Sequence, residues 1–490
     1  MRRKRSLIIL LAVLVLLAGT YAFLASRPQD TNEPDKSEPA IEISKLDRSK
    51  IKRITLKNSK IDELVFELET RVVEEEGEDG EKETSEETVW VSKKPYPVEL
   101  AQSTVSDLIS SFSSLNAEMI VEENSEDLAK YGLDKPSATA TAELDDGTKV
   151  TLFLGNKTAE GSTFYLMKDG DTKVYTVRSA YAQRLNSSLS DFRDKSLAEI
   201  DITNLNYMLL TGEGRRDLEI VTTDNLPNKE DAYGYSTLFM TKPFKRVRAV
   251  DMTKLNPILE QMAVLSIKDF VDDHPTDLAK YGLDNPKLHL VLKDANDSTL
   301  DLYFGNSLED GTIYFKTGDS DAVYLMDESA IASLDFQPMD ISDKFALLVN
   351  IDNVDKVVFE GRGIKHTMTI TRTVKKAEEG EEDETVAAYY FDGQETDEED
   401  FKRFYQSLIG IVVDTEKIHT AQGTPEFMIT YYLNKGIKRE LSVALYPYDN
   451  DFYSMVREGD MESEFLVYKK RLNWIFEDLE KFLSSGTDEE

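Results

Sequence analysis

Four histidines have the clearest potential for metal or acid–base chemistry. They are His274, His289, His366 and His419. None stands at a metal-ligand spacing from another, and none recurs in the sequence repeat described below. The chain has no cysteine, which excludes disulfides, cysteine-ligated zinc and thiol nucleophiles. The sequence therefore predicts no metal site and no cofactor.

Motifs for nucleophilic and phosphate chemistry are missing or accidental. There is no phosphate loop, no G-x-G-x-x-G and no G-x-S-x-G. Ser49 to Lys52 spells S-x-x-K, but it stands at the end of a predicted tether, where no pocket is expected. Acidic residues are so numerous that some pair will always resemble a general acid and base. We predict no catalytic residue and no enzymatic activity, with an unrecognised carboxylate-dependent hydrolase as the second alternative.

Two other groups of side chains could bind ligands. Asp-rich turns at 169–171, 319–321 and 449–451 lack the bidentate Glu of a calcium loop, so we interpret them as hairpin turns. Clustered tyrosines could form a glycan-stacking face, although strand alternation would bury about half of them. They are Tyr389, Tyr390, Tyr431, Tyr432, Tyr446, Tyr448 and Tyr453. A cell-wall glycan or polymer binding protein is therefore the first alternative function.

One basic cluster is unusual in a chain with a formal net charge of −35. It comprises Lys242, Lys245, Arg246 and Arg248. These residues could contact an anionic polymer or a lipid headgroup, or they could neutralise neighbouring acids. The overall negative charge opposes binding to nucleic acid, so no nucleic-acid partner is predicted.

The octapeptide DLAKYGLD occurs twice, at 127–134 and at 277–284. Each copy predicts a short helix that is ended by a glycine and kept from resuming by a proline. The functional interpretation is a ligand-binding pair, Tyr131 with Asp134, duplicated in Tyr281 with Asp284. We favour a structural turn because each residue has a local conformational reason. The repeat-signature residues are Tyr131, Gly132, Leu133, Asp134, Pro136, Gly155, Tyr281, Gly282, Leu283, Asp284, Pro286 and Gly305.

The sequence after each octapeptide repeats as well. YGLD-x-P is followed by alternating strands, a Leu-Gly-Asn or Phe-Gly-Asn turn, an aromatic pair and a Val-Tyr strand. This pattern resembles the bacterial domain-of-unknown-function family 4340, from Ser125 to about Leu189 and from Thr276 to about Phe336. The resemblance implies a membrane-anchored envelope protein, in a family sometimes associated with auxiliary components of gliding-motility-type ABC transporters. The family has no established catalytic residues to transfer.

Three repeats must position these residues: repeat one (50–200), repeat two (201–350) and a degenerate repeat three (351–485). Each is predicted as three strands, an amphipathic helix, about four strands and a closing helix. In repeat three, Gly423 and Pro425 stand where YGLD-x-P would be. The predicted fold class is α+β, with an N-terminal transmembrane helix followed by three tandem repeats of mixed, mainly antiparallel sheet with helices.

The N-terminus predicts a membrane anchor. Residues 1–25 form a basic stub, MRRKR, and an uncharged apolar run from Leu7 to Leu24, whose 18 residues would span about 27 Å as a helix. The basic residues favour a cytoplasmic N-terminus and an extracytoplasmic remainder. The alternative is a cleaved signal peptide, with Thr20 and Ala22 at its cleavage site. Residues 26–49 are predicted to be a disordered tether.

Acidic runs at 74–87 and 378–384 are predicted to be hairpin tips, with docking of a basic partner or cations as the alternative. Duplicated domains multiply binding surface more readily than they build one active site. We therefore predict a single-pass, cell-membrane-anchored extracytoplasmic scaffold or binding protein of the bacterial envelope. Its expected partner is an envelope protein, with an ABC-type transporter named by the family resemblance.

Overall fold

The computed structural model describes residues 40–76, 82–232, 235–375, 384–436 and 439–485. The chain forms two compact units, Met1–Asp194 and Lys195–Glu490. The predicted anchor Leu7–Leu24, most of the predicted tether, residues 77–81 of the first acidic run and residues 378–383 of the second lie outside the described residues. Within the described ranges, no helix is long and apolar enough to span a membrane.

Strands dominate both units. Repeat one contains β1 (Ile41–Ser44), β2 (Ile51–Asn58), β3 (Ile61–Glu76), β4 (Lys82–Lys94), β5 (Leu115–Ala117), β6 (Met119–Glu122), β7 (Ala138–Leu144), β8 (Lys149–Lys157), β9 (Thr163–Lys168) and β10 (Val174–Arg178). Repeat two contains β11 (Leu205–Gly212), β12 (Leu218–Thr222), β13 (Leu238–Lys242), β14 (Arg248–Ala249), β15 (Asp269–Asp272), β16 (Leu288–Asp294), β17 (Thr299–Ser307), β18 (Thr312–Thr317) and β19 (Val323–Asp327). Repeat three contains β20 (Val354–Gly361), β21 (Ile364–Lys375), β22 (Glu384–Phe391), β23 (Gln394–Thr396), β24 (Thr415–Thr420), β25 (Phe427–Leu433), β26 (Glu440–Pro447), β27 (Phe452–Arg457) and β28 (Glu462–Tyr468).

Helices are fewer and shorter. The α-helices are α1 (Gln102–Ser113), α2 (Ser179–Leu185), α3 (Met252–Met262), α4 (Glu398–Ile409) and α5 (Lys469–Ser485). The 3-10 turns are Arg48–Lys50, Ala129–Tyr131, Leu189–Phe192, Ile202–Asn204, Thr223–Asn225, Lys229–Asp231, Ala279–Tyr281, Glu328–Leu334, Pro338–Asp340 and Ile351–Asn353.

The predicted α+β class is wrong. Of the described residues, 46% lie in strands and 22% in helices, and the strands form four antiparallel sheets, so the protein is mainly β. The sequence overstated the helices because each octapeptide glycine was taken to end a short helix, whereas it ends a single 3-10 turn. The segment that leads to Gly132 makes only the 3-10 turn Ala129–Tyr131, and the closing helix of repeat two is the 3-10 segment Glu328–Leu334.

The three large sheets share one strand order. It is β4-β3-β2-β7-β8-β9-β10-β6 in repeat one, β14-β13-β12-β11-β16-β17-β18-β19-β15 in repeat two and β23-β22-β21-β20-β25-β26-β27-β28-β24 in repeat three. In each repeat, three consecutive antiparallel strands are followed by the main helix, which is α1, α3 or α4. After this helix the chain adds a strand at the opposite edge of the sheet, which is β6, β15 or β24. The chain is therefore built from tandem repeats, including repeat three, in which the octapeptide is absent.

In the described part of repeat one, the large sheet has eight strands and lacks the short ninth strand of the other two sheets. At this edge β14 pairs with β13, and β23 pairs with β22. In repeat one the Gln102 side chain takes this place on β4. Its Oε1 accepts from the Trp90 N–H at 2.8 Å, and its Nε2 donates to the Trp90 carbonyl at 2.9 Å. A side-chain amide thus satisfies backbone groups that a strand satisfies elsewhere.

Each main helix covers one face of its sheet, as the apolar spacing predicts. In α1 the buried apolar residues are Val105, Leu108, Ile109 and Phe112. The helix is flanked by chain segments that enter and leave the repeat. β1 pairs with β5 just after α1, and Arg193 bridges to Leu100 just before it. Repeat two is tied in the same way around α3, with Ser196 bridging to Ser266 and Ser342 to Val250.

The cores differ between the two units. Repeat one has its own core around α1 and the inner face of its sheet. Repeats two and three share one continuous core, which extends from Ile200 to Phe482. Lys195–Glu490 is consequently one compact unit containing two sheets.

Candidate functional site

The repeat-signature residues form a tightly packed turn on the outer face of the large sheet in repeats one and two. Gly132 ends its 3-10 turn with φ +69°, and Gly282 does so with φ +72°, so the predicted left-handed glycines are present. A Cβ on Gly132 would overlap the Asn156 side chain, and a Cβ on Gly282 would lie 2.7 Å from Asn306 Oδ1. Glycine is required at both positions for conformation and for space.

The second glycine of each signature, Gly155 or Gly305, is required because the backbone of the turn lies close to it, and not because of its own conformation. Gly155 lies where the pairing of β8 with β9 is irregular, and Gly305 occupies the same place between β17 and β18. A Cβ on Gly155 would overlap the Tyr131 carbonyl oxygen, and one on Gly305 would overlap that of Tyr281. The turn and the strand bulge therefore lock together through backbone contact.

The signature tyrosines are buried, and each donates a hydrogen bond to an acid of the neighbouring edge strand. Tyr131 Oη donates to Glu122 at 2.9 Å, and Tyr281 Oη donates to Asp272 at 3.0 Å. Burial and the bond to Glu122 raise the pKa of Tyr131. Hydrogen bonds from Lys130 and then Tyr131 lower the pKa of Glu122. The Tyr131 hydroxyl therefore stays protonated and donates its hydrogen bond within the repeat.

The rest of the signature serves the same packing. Leu133 and Leu283 are buried in small apolar clusters with Tyr131 and Tyr281, whereas Asp134 and Asp284 are exposed. Pro136 and Pro286 are half-buried before the following strand. The contacts of Tyr131 and Tyr281 are those of a structural turn, and their bonding partners are Glu122 and Asp272 rather than Asp134 and Asp284.

Two of the four residues in the predicted anion-binding cluster form ion pairs with acids of repeat three. Lys245 Nζ lies 2.8 Å from Asp460 and 2.6 Å from Glu462, and its backbone N–H donates to Glu464 at 2.7 Å. Arg246 pairs with Glu458 at 2.8 Å. We call this group the clasp; it comprises Lys245 and Arg246 of repeat two with Glu458, Asp460, Glu462 and Glu464 of repeat three. Arg216 of repeat two adds a bidentate pair with Glu416.

Arg248 lies deeper in the same interface and is only 6% exposed. Its Nε donates to Ser342 Oγ at 2.9 Å, its Nη2 donates to the Asp343 carbonyl at 2.6 Å, and its guanidinium lies 4.3 Å from the Phe465 ring centroid. Burial, followed by repulsion from Arg457, lowers its pKa to about 10, so it remains charged at neutral pH. The fourth residue, Lys242, lies 3.8 Å from Glu219 of its own repeat.

The cluster therefore contacts groups of the same chain, which are acids for three of its residues and Ser342, the Asp343 carbonyl and Phe465 for Arg248. Its acidic partners were not singled out in the sequence, although Glu458, Asp460, Glu462 and Glu464 stand at every second position. That period points side chains to one side of an extended strand and could have indicated a basic partner. The cavity next to Arg248 measures about 30 Å³, room for about two water molecules.

The remaining candidates are scattered. His289 and His366 each contact one aspartate, Asp301 and Asp392, at 2.7 Å, and His419 contacts Ser454 at 2.6 Å, while His274 is exposed. Across the described ranges, no three His, Asp or Glu side chains are grouped to hold a metal ion. The clustered tyrosines do not form one face. Tyr389, Tyr431 and Tyr453 are buried, Tyr390, Tyr432 and Tyr446 are half-buried, and Tyr448 is exposed.

The family profile described as Domain of unknown function (DUF4340) matches residues 90–233 and 245–415. These segments make up more than half of the chain and include both octapeptides, so the chain belongs to this family, as the sequence pattern predicted. The family description names no activity. No curated protein matches the chain.

Proposed function

We propose that the protein is a non-enzymatic scaffold or binding protein of the bacterial envelope, anchored by Leu7–Leu24 and extracytoplasmic beyond it. Its proposed partner is the membrane part of an ABC-type transporter. The anchor rests on the charge and length of the N-terminal segment, and the transporter on the family resemblance.

The observation that carries the scaffold role is the junction between repeats two and three. The two sheets share one core. The clasp and Arg248 link residues 242–248 of repeat two, which we call the basic loop, to the β27–β28 hairpin of repeat three. A single partly buried ion pair adds little stability, but a network of several charges with fixed geometry specifies one arrangement of its elements. Fixed geometry across two domains supports a protein that presents a surface to a partner.

Exposed apolar residues provide positions at which to test for this partner. Met119 is 54% exposed, Val264 78% and Ile418 69%, one in each repeat. A photocrosslinking amino acid would replace each in turn in the full-length chain, expressed in its own host. We expect at least one position to crosslink to a transporter's membrane subunit after illumination.

The matched control lacks Leu7–Leu24 but carries the same photocrosslinker. It should lose the crosslink, because the chain would no longer be held beside a membrane protein. Recovery of wall polymer with no protein partner would place the glycan-binding alternative first. Crosslinks that are unchanged without the anchor would contradict the proposed location.

A further inference from the structure

Repeat three carries a row of aromatic and cationic side chains where β28 leads into α5, and all of them are exposed except the half-buried Phe452. Phe452 stacks on Tyr468 with ring centroids 4.3 Å apart, and Lys470 Nζ lies 4.9 Å from the Tyr468 ring and 5.8 Å from Trp474. Tyr468 is 37% exposed and Trp474 is 49% exposed. We call Phe452, Tyr468, Lys470 and Trp474 the aromatic face.

Asp414 fixes the junction between β28 and α5, which carries the aromatic face. One of its carboxylate oxygens accepts from the Tyr468 backbone N–H at 2.9 Å, and the two oxygens together accept from the Arg471 guanidinium at 3.1 and 2.6 Å. The strand end and the first turn of α5 are thus fixed relative to each other. A surface whose geometry is fixed before binding loses less entropy when a ligand is bound.

The same positions in the other repeats have different residues. The Phe452–Tyr468 pair occupies the register position of Thr163–Arg178 in repeat one and Thr312–Asp327 in repeat two. Counting from the strand end, Lys470 corresponds to Ala180 and Ser329, and Trp474 to Arg184 and Ser333. Two sheets of the same topology form without an aromatic face, so the fold does not require one.

The face is also locally cationic. Lys469, next to Lys470, lies 5.3 Å from the Tyr453 ring, and within the described part of the chain neither lysine has a carboxylate within ion-pair distance. The Lys470 ammonium is attracted to the Tyr468 ring face, and the Lys470 side chain is exposed, so its charge remains accessible to a ligand.

We propose that the aromatic face binds an anionic glycan, a polymer whose sugar rings carry carboxylate or phosphate groups. The C–H face of a sugar ring packs on Trp474, the most exposed ring of the aromatic face, beside the stacked pair of Phe452 and Tyr468. The carboxylate or phosphate pairs with Lys470 and Lys469. This site goes beyond the proposed scaffold role and requires no transporter partner, so it can be tested independently of the crosslinking experiment.

The net charge favours a polymer strand over an anionic membrane as the ligand. Charges are screened beyond about 8 Å at physiological ionic strength, so a single strand meets only the charges near the face, which are Lys469, Lys470 and Arg471 with Asp414 and Asp451. A flat anionic bilayer would approach a broad area of a strongly acidic protein, and that area would repel it.

Trp474 provides a direct measurement because the only other tryptophan, Trp90, is 8% exposed. The full-length protein would be titrated with oligogalacturonate, phosphomannan or neutral dextran, and separately with vesicles of phosphatidylglycerol and phosphatidylcholine. We expect a saturable change in tryptophan fluorescence with at least one of the two anionic glycans, weakening as salt is added. Dextran and the vesicles should produce none.

Variants would replace residues of the aromatic face with those found at the same positions in the other repeats. Phe452→Thr and Lys470→Ala retain the Trp474 reporter, and Trp474→Ser would be measured by calorimetry. Each should weaken binding about tenfold. The control is Tyr235→Ser, which removes a tyrosine that is 75% exposed in repeat two and should leave the affinity unchanged.

Three results would overturn the site: no binding to either anionic glycan, equal binding to dextran, or unchanged affinity in all three aromatic-face variants. Binding to the vesicles without binding to the glycans would identify the face as a membrane contact instead.

Discussion

Repeats one and two build the same turn from DLAKYGLD, whereas the loops that follow the third strand of each repeat share only their first residues. Lys94 and Lys242 both precede a proline, and each lysine approaches a glutamate of the adjacent strand, Glu63 or Glu219. Beyond that point the loops diverge. Repeat one has Pro97, Val98 and Leu100 where repeat two has Lys245, Arg246 and Arg248.

The difference separates two kinds of residue. Those that recur, such as Gly132 and Gly282, have the same partner in each copy and account for the fold. Those that occur once, in the basic loop and the aromatic face, make contacts that only one repeat needs. Repeat three extends the comparison, because Gly423 keeps a positive φ but a Cβ there would have no atom within 4 Å. The packed turn is absent from the repeat that carries the aromatic face.

The largest effect should follow from filling a recurring glycine. Gly155→Ala places a methyl group against the Tyr131 carbonyl oxygen, and neither backbone segment can move without disturbing the sheet. We expect the free energy of unfolding to fall by about 2–3 kcal/mol, measured by denaturant unfolding. Gly305→Ala should cost a similar amount in repeat two.

The control for this substitution is Gly170→Ala. Gly170 has φ +78° but open space around a Cβ, so only backbone strain of about 1 kcal/mol is expected. Equal losses at Gly155 and Gly170 would indicate that the contact between turn and bulge contributes nothing.

A smaller loss is expected at the junction that occurs once. Arg246→Glu removes the pair with Glu458 and places like charges together, which should lower the free energy of unfolding of Lys195–Glu490 by about 2 kcal/mol. The double variant Arg246→Glu with Glu458→Arg should recover much of this loss. Denaturant unfolding of the four variants forms a double-mutant cycle.

An exposed pair within repeat two is the control for the clasp. Lys229 pairs with Asp224 at 2.6 Å, with both side chains more than half exposed. Lys229→Glu should cost less than about 1 kcal/mol. If Arg246→Glu costs no more than Lys229→Glu, the clasp is an ordinary surface ion pair and does not set the arrangement of repeats two and three.

The two signature tyrosines allow a direct test of equivalence. Tyr131→Phe and Tyr281→Phe each remove one hydrogen bond to an acid and leave the ring packing intact. Each should cost about 1 kcal/mol in denaturant unfolding. A cost at only one of the two positions would break the comparison and would indicate that the turns have different roles.

The sequence predicted the features whose cause is local. The left-handed Gly132 and the apolar face of α1 follow from residues within a few positions of each other. The clasp could not be located in this way, because Lys245 and Glu462 are 217 residues apart and meet only when repeats two and three pack. The aromatic face was missed because Phe452 and Tyr468 become neighbours through strand register, which depends on the turn between β27 and β28.

The smallest expected effect is the pH dependence of the clasp. Lys245, followed by other groups, lowers the pKa of Asp460, and Asp460 and Glu462 raise the pKa of Lys245. A carboxyl with a lowered folded pKa contributes stability above its unfolded pKa of about 3.9 and loses it as the pH falls through the folded value. For the lysine the contribution is complete below its unfolded pKa of about 10.4 and is lost only as the pH rises through the raised folded value.

Wild type should therefore be more stable than Asp460→Asn at pH 7, and the difference should shrink as the pH falls below about 4. Denaturant unfolding of both proteins between neutral and acidic pH measures this difference. Asp224→Asn is the matched control, since Lys229 lowers the pKa of the exposed Asp224 within one repeat. A pH-dependent difference of the same size for Asp224→Asn would mean that joining two repeats gives the clasp no advantage over a local pair. A larger difference for Asp460→Asn would mean that its carboxylate acts as part of the network with Lys245 and Arg246. Among the described residues, Asp460 is the only acid that approaches two cations from another repeat.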